Sequence, residues 1–182
     1  LQLGLLQERA DDSFAEGLDR AKTLVGEGIK SIRSVTRNLR PVALDDLGLI
    51  PSLRALARDF QGDDALTVEV RTPDQPPPLH ADAELVLYRA MQEALSNAVR
   101  HAKCTRVEVS LETEDHQVRL TVRDNGAGVP EELLGTLRSR GGLAGLRERV
   151  AAVRGEFNVG NHPDGGVIVS VGVPKVRSEV KP

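Results

Sequence analysis

A chain of 182 residues, 40% of them apolar, is long enough for one good-sized domain plus a smaller element. Its formal charge of −3 offers nothing to nucleic acid or to an anionic membrane surface. The single cysteine, Cys104, excludes a disulfide framework and a cysteine-based zinc site, and it fits a reducing compartment.

Aromatic residues make up only 2% and tryptophan is absent, so the core must rest on Leu, Val and Ala. No apolar run approaches the roughly eighteen residues of a spanning helix, and no signal peptide is visible. The segment is therefore expected to be cytoplasmic, without membrane contact of its own. The opening Leu1-Gln2-Leu3-Gly4 lacks Met and reads as part of something longer.

Taken in order, Leu1 to Ala10 reads as the tail of a helix, and Asp11-Asp12-Ser13 as a turn with an N-cap signal. A second helix is predicted from Phe14 to about Arg40. Positions 14, 18, 21, 25, 28, 32, 35 and 39 alternate spacings of four and three and hold Phe, Leu, Ala, Val, Gly, Ile, Val and Leu. That is a heptad seam. Gly17, Gly26 and Gly28 weaken it as an isolated helix, so it needs a partner: another chain in a helical bundle, or its own second domain. Pro41 ends it, because the residue before a proline avoids the α region. The domain boundary is placed near Ala43 to Asp46, leaving 1–44 as the helical part, 45–175 as the main domain and 176–182 as a disordered tail.

The main domain opens with an amphipathic helix over Ile50 to Phe60 and an alternating strand over Thr67 to Arg71. A proline-rich loop and a helix over 82–102 follow. Arg106 to Thr113 and Val118 to Arg123 both alternate with period two and form a hairpin through Glu114-Asp115-His116. Val129 to Gly141 shows no periodicity and is expected as a mobile loop. A helix over Leu143 to Val153 and two strands, Phe157 to Val159 and Val167 to Val173, complete the set. Helices and strands are interspersed without a strict βαβ rhythm. The fold class is α+β: a mixed sheet covered on one face by helices, preceded by a dimerisation helix.

Three stretches carry chemistry. On the helix 82–102, Val86, Ala90, Ala94 and Ala98 share an apolar face, while Glu93, Asn97 and then Arg100 or His101 recur along a polar one. Oxygen donors in such a row suit a hard cation such as Mg²⁺, which keeps waters and binds through one or two side chains plus substrate phosphates. The same pattern also describes a merely solvated helix face. The second stretch, Asp124-Asn125-Gly126-Ala127-Gly128, follows a strand. A buried carboxylate there can accept a hydrogen bond from an exocyclic amine, or it can simply close an Asx turn. Gly126 and Gly128 permit positive φ and close approach of a ligand ring. The third stretch, Gly141-Gly142-Leu143-Ala144-Gly145, opens a helix whose free N–H groups can face phosphates.

The order of these three motifs resembles the GHKL ATP-binding fold, the Bergerat-type α/β sandwich. Sensor histidine kinases, type II topoisomerase ATPase subunits, mismatch-repair ATPases and certain chaperones share it. Leu39-Arg40-Pro41 through Leu44-Asp45-Asp46-Leu47-Gly48-Leu49 further resembles the junction between dimerisation helices and ATPase domain in one branch of sensor histidine kinases. That branch includes nitrate/nitrite sensors and a membrane-fluidity sensor, and its partners are NarL-type response regulators. The resemblance implies ATP and Mg²⁺ as cofactors, with Asn97 as metal ligand and Glu93 orienting a water or the metal's outer shell. It implies adenine recognition by Asp124, with Gly126 and Gly128 beside the base. Arg100, His101 and, less strongly, Lys103 would reach the phosphates, together with the Gly142, Leu143 and Gly145 helix start. It also implies a homodimer through the helical bundle and phosphoryl transfer to a histidine.

Three departures stand out. Arg140 replaces a usual glycine. Gly165-Gly166-Val167 stands where a Gly-Thr is usual, so a hydroxyl supporting adenine is missing. The four histidines, His80, His101, His116 and His162, all lie in the ATPase portion, so the phosphoacceptor is expected outside this chain. Two other readings stay open. One is a GHKL ATPase driving conformational change, although only about eight residues after Pro174 stand where a transducer domain would be. The other is a degenerate, non-catalytic dimerisation module.

Overall fold

The computed structural model describes residues 17, 20, 41–61, 66–102, 104–132, 134–135 and 141–176. The chain divides into two compact units, Leu1–Pro41 and Val42–Pro182. In the first, Gly17 and Arg20 are helical and exposed. Neither is a seam position: the whole predicted heptad seam lies outside the described residues, as do Lys103, Arg140 and 177–182.

The second unit starts with a helix the sequence does not announce, α1 (Val42–Leu47). Gly48, at φ 79°, turns the chain directly into α2 (Leu49–Phe60). Ser52 fixes the corner by donating from Oγ to Gly48 O at 2.7 Å and to Ala43 O at 2.9 Å. Leu44, Leu49, Leu53 and Leu56 point inward and are buried. The stretch expected as a domain junction is thus a helical corner tied to α2.

Five strands follow the period-two pattern: β1 (Thr67–Arg71), β2 (Arg106–Thr113), β3 (Gln117–Asp124), β4 (Glu156–Asn161) and β5 (Val167–Pro174). Their order in the sheet is β1-β2-β3-β5-β4. β1 and β2 are parallel; the other pairs are antiparallel, giving a mixed sheet. Register places Val109 opposite Val122 and Leu111 opposite Leu120, with Val122 and Leu120 in turn opposite Val169 and Val171. These valines and leucines are buried on one face under the helices. Because side chains alternate in a strand, Glu108, Ser110, Thr121 and Arg123 line the other face.

The central helix, α3 (Ala81–Asn97), begins after the extended His80, with Asp82 and Glu84 in its first turn complementing the helix dipole. Ala83, Val86, Leu87, Ala90, Met91, Ala94 and Leu95 form its buried stripe. The predicted helix 82–102 is corrected at its end: Ala98–Ala102 is a π turn. One residue is inserted into the helical ladder there, and an alanine-rich pattern gives no sign of it. Cys104 Sγ donates to Ala98 O, at 3.7 Å, within this widened turn.

Two further corrections concern segments expected to lack order. Residues 131, 132, 134 and 135 are helical, within the stretch predicted as a loop. Pro130 and the pair Glu131-Glu132 supply the reason: a preset φ and two carboxylates at a helix start. In the tail, the Val176 amide donates to Pro78 O at 2.9 Å and Lys175 to His116 O at 3.1 Å, so backbone pairing continues past β5. Helix α4 (Gly141–Ala152) buries Leu143, Leu146 and Val150. Among the described residues no helix is long and apolar enough to cross a membrane.

Candidate functional site

The site lies on the helix-covered side of the sheet, where α3 packs over β3 and its end meets the start of α4. Glu93 and Asn97 are half-buried and one turn apart, and Asn97 Nδ2 donates to Glu93 Oε1 at 3.3 Å. This bond orients the carboxamide. With its nitrogen committed to Glu93, the oxygen of Asn97 is the atom left to accept or to ligate. The π turn breaks the polar stripe just beyond Asn97. Its i→i+5 spacing carries Arg100 off the line an uninterrupted α-helix would continue, and the Arg100 side chain is exposed. His101 is helical in backbone.

Gly142 joins the third motif to the first. A side-chain carbon at this position would overlap the Glu93 carboxylate and push it aside, so glycine lets the first turn of α4 lie against Glu93 as it stands. The N–H groups of that turn therefore open beside the Glu93–Asn97 pair. The Leu143 side chain is core, 5% exposed, which confines any part it takes to its backbone N–H. Gly145 meets only Arg149, at ordinary contact distance.

Asp124 ends β3 and is 8% exposed. Its Oδ1 accepts from the Gly126 amide at 2.8 Å, which is the Asx turn the sequence allows. A carboxylate has two oxygens, and Oδ2 makes no hydrogen bond among the described residues, so the turn and a ligand do not compete. The neighbouring Cys104 thiol is pushed up from its usual pKa, first by burial and then by the negative charge of Asp124. Cys104 bridges the motifs physically, its thiol bonded to the π turn after Asn97 and within the field of Asp124.

The two glycines of the second motif differ from expectation. Positive φ occurs at Gly128, at 74°, and not at Gly126, whose amide is held in the Asx turn. The space beside Gly128 is also taken. A Cβ there would come within 2.9 Å of Asn161 Oδ1, so glycine at this position also makes room for that side chain.

Two residues of this region escape sequence reasoning. Gly166, at φ 81°, packs so closely on Asp124 that a Cβ would overlap the Asp124 carbonyl and approach Oδ1 at 2.9 Å. Gly166 is therefore demanded by the end of β3 beside it, whereas Gly165 needs glycine only for its φ of 97°. Asn161 grips Val129 from the end of β4. Only the spacing of Gly166 from Asn161, across a hairpin turn, hints at either role.

With that geometry in place, comparison with known proteins is decisive. Residues 82–177 match the model of the histidine kinase-, DNA gyrase B- and HSP90-like ATPase family. The chain belongs to this family. Its curated relatives include the histidine-protein kinase/phosphatase DegS of Brevibacillus brevis, 30% identical over 93% of this chain and 43% of that protein. Another is the oxygen sensor histidine kinase NreB of Staphylococcus carnosus, 32% identical over 96% of this chain and 50% of that one. The chain thus spans about half or less of the relatives it matches. Among solved structures, the histidine kinase domain of the Erythrobacter litoralis EL346 blue-light activated kinase superposes with a TM-score of 0.62 at 23% identity, covering 95% of this chain and 90% of that one. The ATP binding domain of PrrB from Mycobacterium tuberculosis gives 0.56 at 27% identity, covering 69% and 93%.

Residues 82–177 are accordingly an ATP-binding catalytic domain of the kind found in sensor histidine kinases, and hold four of the five strands, β1 preceding them. Glu93, Asn97 and Asp124 lie on the helix-covered side of the sheet, and the other face is open. In this chain it holds a shallow groove of about 660 Å³ lined by Glu69, Arg71, Glu108, Thr121, Arg123 and Ile168, among others. Charges pair on this face, Arg106 with Glu69 on the neighbouring strand and with Glu108 on its own, at 2.8 Å each, and Arg123 with Asp164 of the β4–β5 turn at 3.5 Å. Such exposed pairs keep a sheet face solvated and contribute little stability.

Proposed function

We propose that this chain is the catalytic part of a two-component sensor histidine kinase, which moves the γ-phosphate of ATP to a histidine on a dimerisation helix and from there to a response regulator of the NarL type. The observation that carries the reading is the meeting of Glu93, Asn97 and Gly142, backed by a buried Asp124 with one carboxylate oxygen to spare. On this reading Asp124 accepts from the exocyclic amine of adenine. Arg100 and the free N–H groups of Gly142 and Leu143 in the first turn of α4 face the phosphates, with His101 and Gly145 beside them. Phosphoryl transfer asks for such positioning and charge stabilisation rather than covalent chemistry from the protein.

The donor set fits Mg²⁺. Among the described residues no group of three or more His, Cys, Asp or Glu side chains could hold a metal alone. A hard cation that takes most of its oxygens from phosphates and water needs no more than the oxygen Asn97 presents, with Glu93 behind it. When bound, the cation would neutralise charge on the phosphate oxygens. Pairing of two chains through the seam at 14–39 belongs to the same proposal, with the helical part ending at Pro41, where the two compact units divide.

No histidine occurs in residues 1–41. Incubated with γ-labelled ATP, the chain alone should therefore stay unlabelled. Mixed with a longer kinase chain that carries the upstream helix and its own Asn97→Ala, it should label that partner with acid-labile phosphate. EDTA should abolish the transfer. Label on the 182-residue chain itself would show the acceptor is misplaced. No transfer in mixed dimers shown to form would favour the non-catalytic module.

A further inference from the structure

The loop after β3 carries the proposed adenine contact, and three anchors hold it. Asp124 Oδ1 takes the Gly126 amide at 2.8 Å. Asn125 turns its side chain back to the start of β2, where Oδ1 accepts from the Thr105 and Arg106 amides at 3.0 Å each. The far end is held from elsewhere. Asn161 Oδ1 accepts from the Val129 amide at 2.8 Å, and Asn161 Nδ2 donates to Val129 O at 2.7 Å. A carboxamide with both bonds made to one residue imitates a paired peptide group, so β4 in effect extends its pairing to Val129 through a side chain.

Asn161 is well placed for this. It sits opposite Val167 in the last register pair of the β4–β5 hairpin. The turn beyond it is closed by the His162 amide on Gly166 O and the Gly165 amide on His162 O, both at 2.9 Å. Gly166, in that turn, packs on Asp124. One hairpin end therefore touches both ends of the loop, Asp124 through Gly166 and Val129 through Asn161. Gly128 is glycine on this account because the Asn161 carboxamide occupies the space a Cβ would need.

We infer that Asn161 is a positioning residue for nucleotide binding: its carboxamide clamps Val129 and so fixes the loop 124–129 in the shape that presents Asp124 to the base. This rests on the nucleotide reading above for its consequence, but not for the clamp itself. Asn161 is exposed and lies at a strand end, so its replacement removes the clamp without opening the core.

The test uses the whole chain, with residue-resolved amide hydrogen exchange and calorimetric ATP titration on wild type, Asn161→Ala and Asn161→Asp. In Asn161→Ala the Val129 amide should exchange roughly tenfold faster or more, with Leu120 and Val122 unchanged, and ATP affinity should fall roughly tenfold. Asn161→Asp keeps an acceptor for the Val129 amide but loses the donor to its carbonyl. Its Val129 protection should stay near wild type, with an ATP affinity between the other two. Unchanged Val129 exchange in Asn161→Ala would overturn the clamp. Faster exchange with unchanged ATP affinity would overturn its part in binding. A wild-type chain that binds no ATP would instead overturn the nucleotide reading, and the exchange data would still decide the clamp.

Discussion

Asp124→Asn should reduce ATP affinity by a factor on the order of a hundred or more while leaving the fold intact. The asymmetry of the carboxylate gives the reason. An asparagine can keep its oxygen on the Gly126 amide, preserving the Asx turn seen at 2.8 Å. Its nitrogen then stands where Oδ2 stood and points a donor at the donor of the adenine amine. An acceptor replaced by a donor at a site only 8% exposed leaves both groups unpaired, which costs about 2–3 kcal/mol or more. Titration calorimetry on a variant with normal circular dichroism checks this, and near-native affinity would remove Asp124 from the base. The same variant has a second readout. The Asp124 charge is one cause of the raised Cys104 pKa, so losing it must lower that pKa and increase the thiolate fraction at any given pH. Cys104 is the sole cysteine, so its alkylation rate can be followed alone. The rate-against-pH curve should move to lower pH in Asp124→Asn, and stay above an unperturbed thiol because burial, the larger cause, remains.

Gly166→Ala should have the largest effect on stability among the glycines near the site, about 2–4 kcal/mol, and should also weaken ATP binding. Two costs add. The new side chain adopts a φ of 81°, and its Cβ overlaps the Asp124 carbonyl, which is backbone and cannot swing away. Gly48→Ala supplies the comparison. Gly48 has φ 79° but nothing within 4 Å of a built Cβ, so it incurs only the backbone strain, about 1–3 kcal/mol. Gly48→Ala should lower the thermal midpoint yet leave ATP affinity unchanged. Equal effects of the two variants on nucleotide affinity would show that Gly166 does not shape the Asp124 site.

Much of this was legible because it is local. Val107, Val109 and Leu111 alternate with polar residues, and Val118, Leu120 and Val122 do the same, so β2, β3 and their shared face follow from period two alone. The buried stripe of α3 follows from its spacing in the same way. Glu93, Asn97 and Asp124 could be singled out because each falls at a motif position on an element whose type was readable. What stayed hidden depends on register between distant segments. No local pattern says that Gly166 will lie on Asp124, since that requires β5 to pair beside β3. Nor does any say that Asn161 will face Val129 across 32 positions. Gly128 has the positive φ its motif suggests, but the Asn161 carboxamide beside it comes from a distant segment. The π turn after Asn97 is a shift of hydrogen bonds within a helix-forming sequence, which composition does not record.

The most direct test is to map ATP on the wild-type chain by amide chemical-shift perturbation, with and without Mg²⁺. The account predicts that the perturbed amides gather at residues 93–97, 124–129 and 142–145, and that Mg²⁺ adds changes centred on Asn97. It predicts little change on the opposite sheet face around Glu69, Glu108 and Thr121, where the open groove lies. Perturbations concentrated in that groove, or none on Asp124 and Asn97 at saturating ATP, would contradict it.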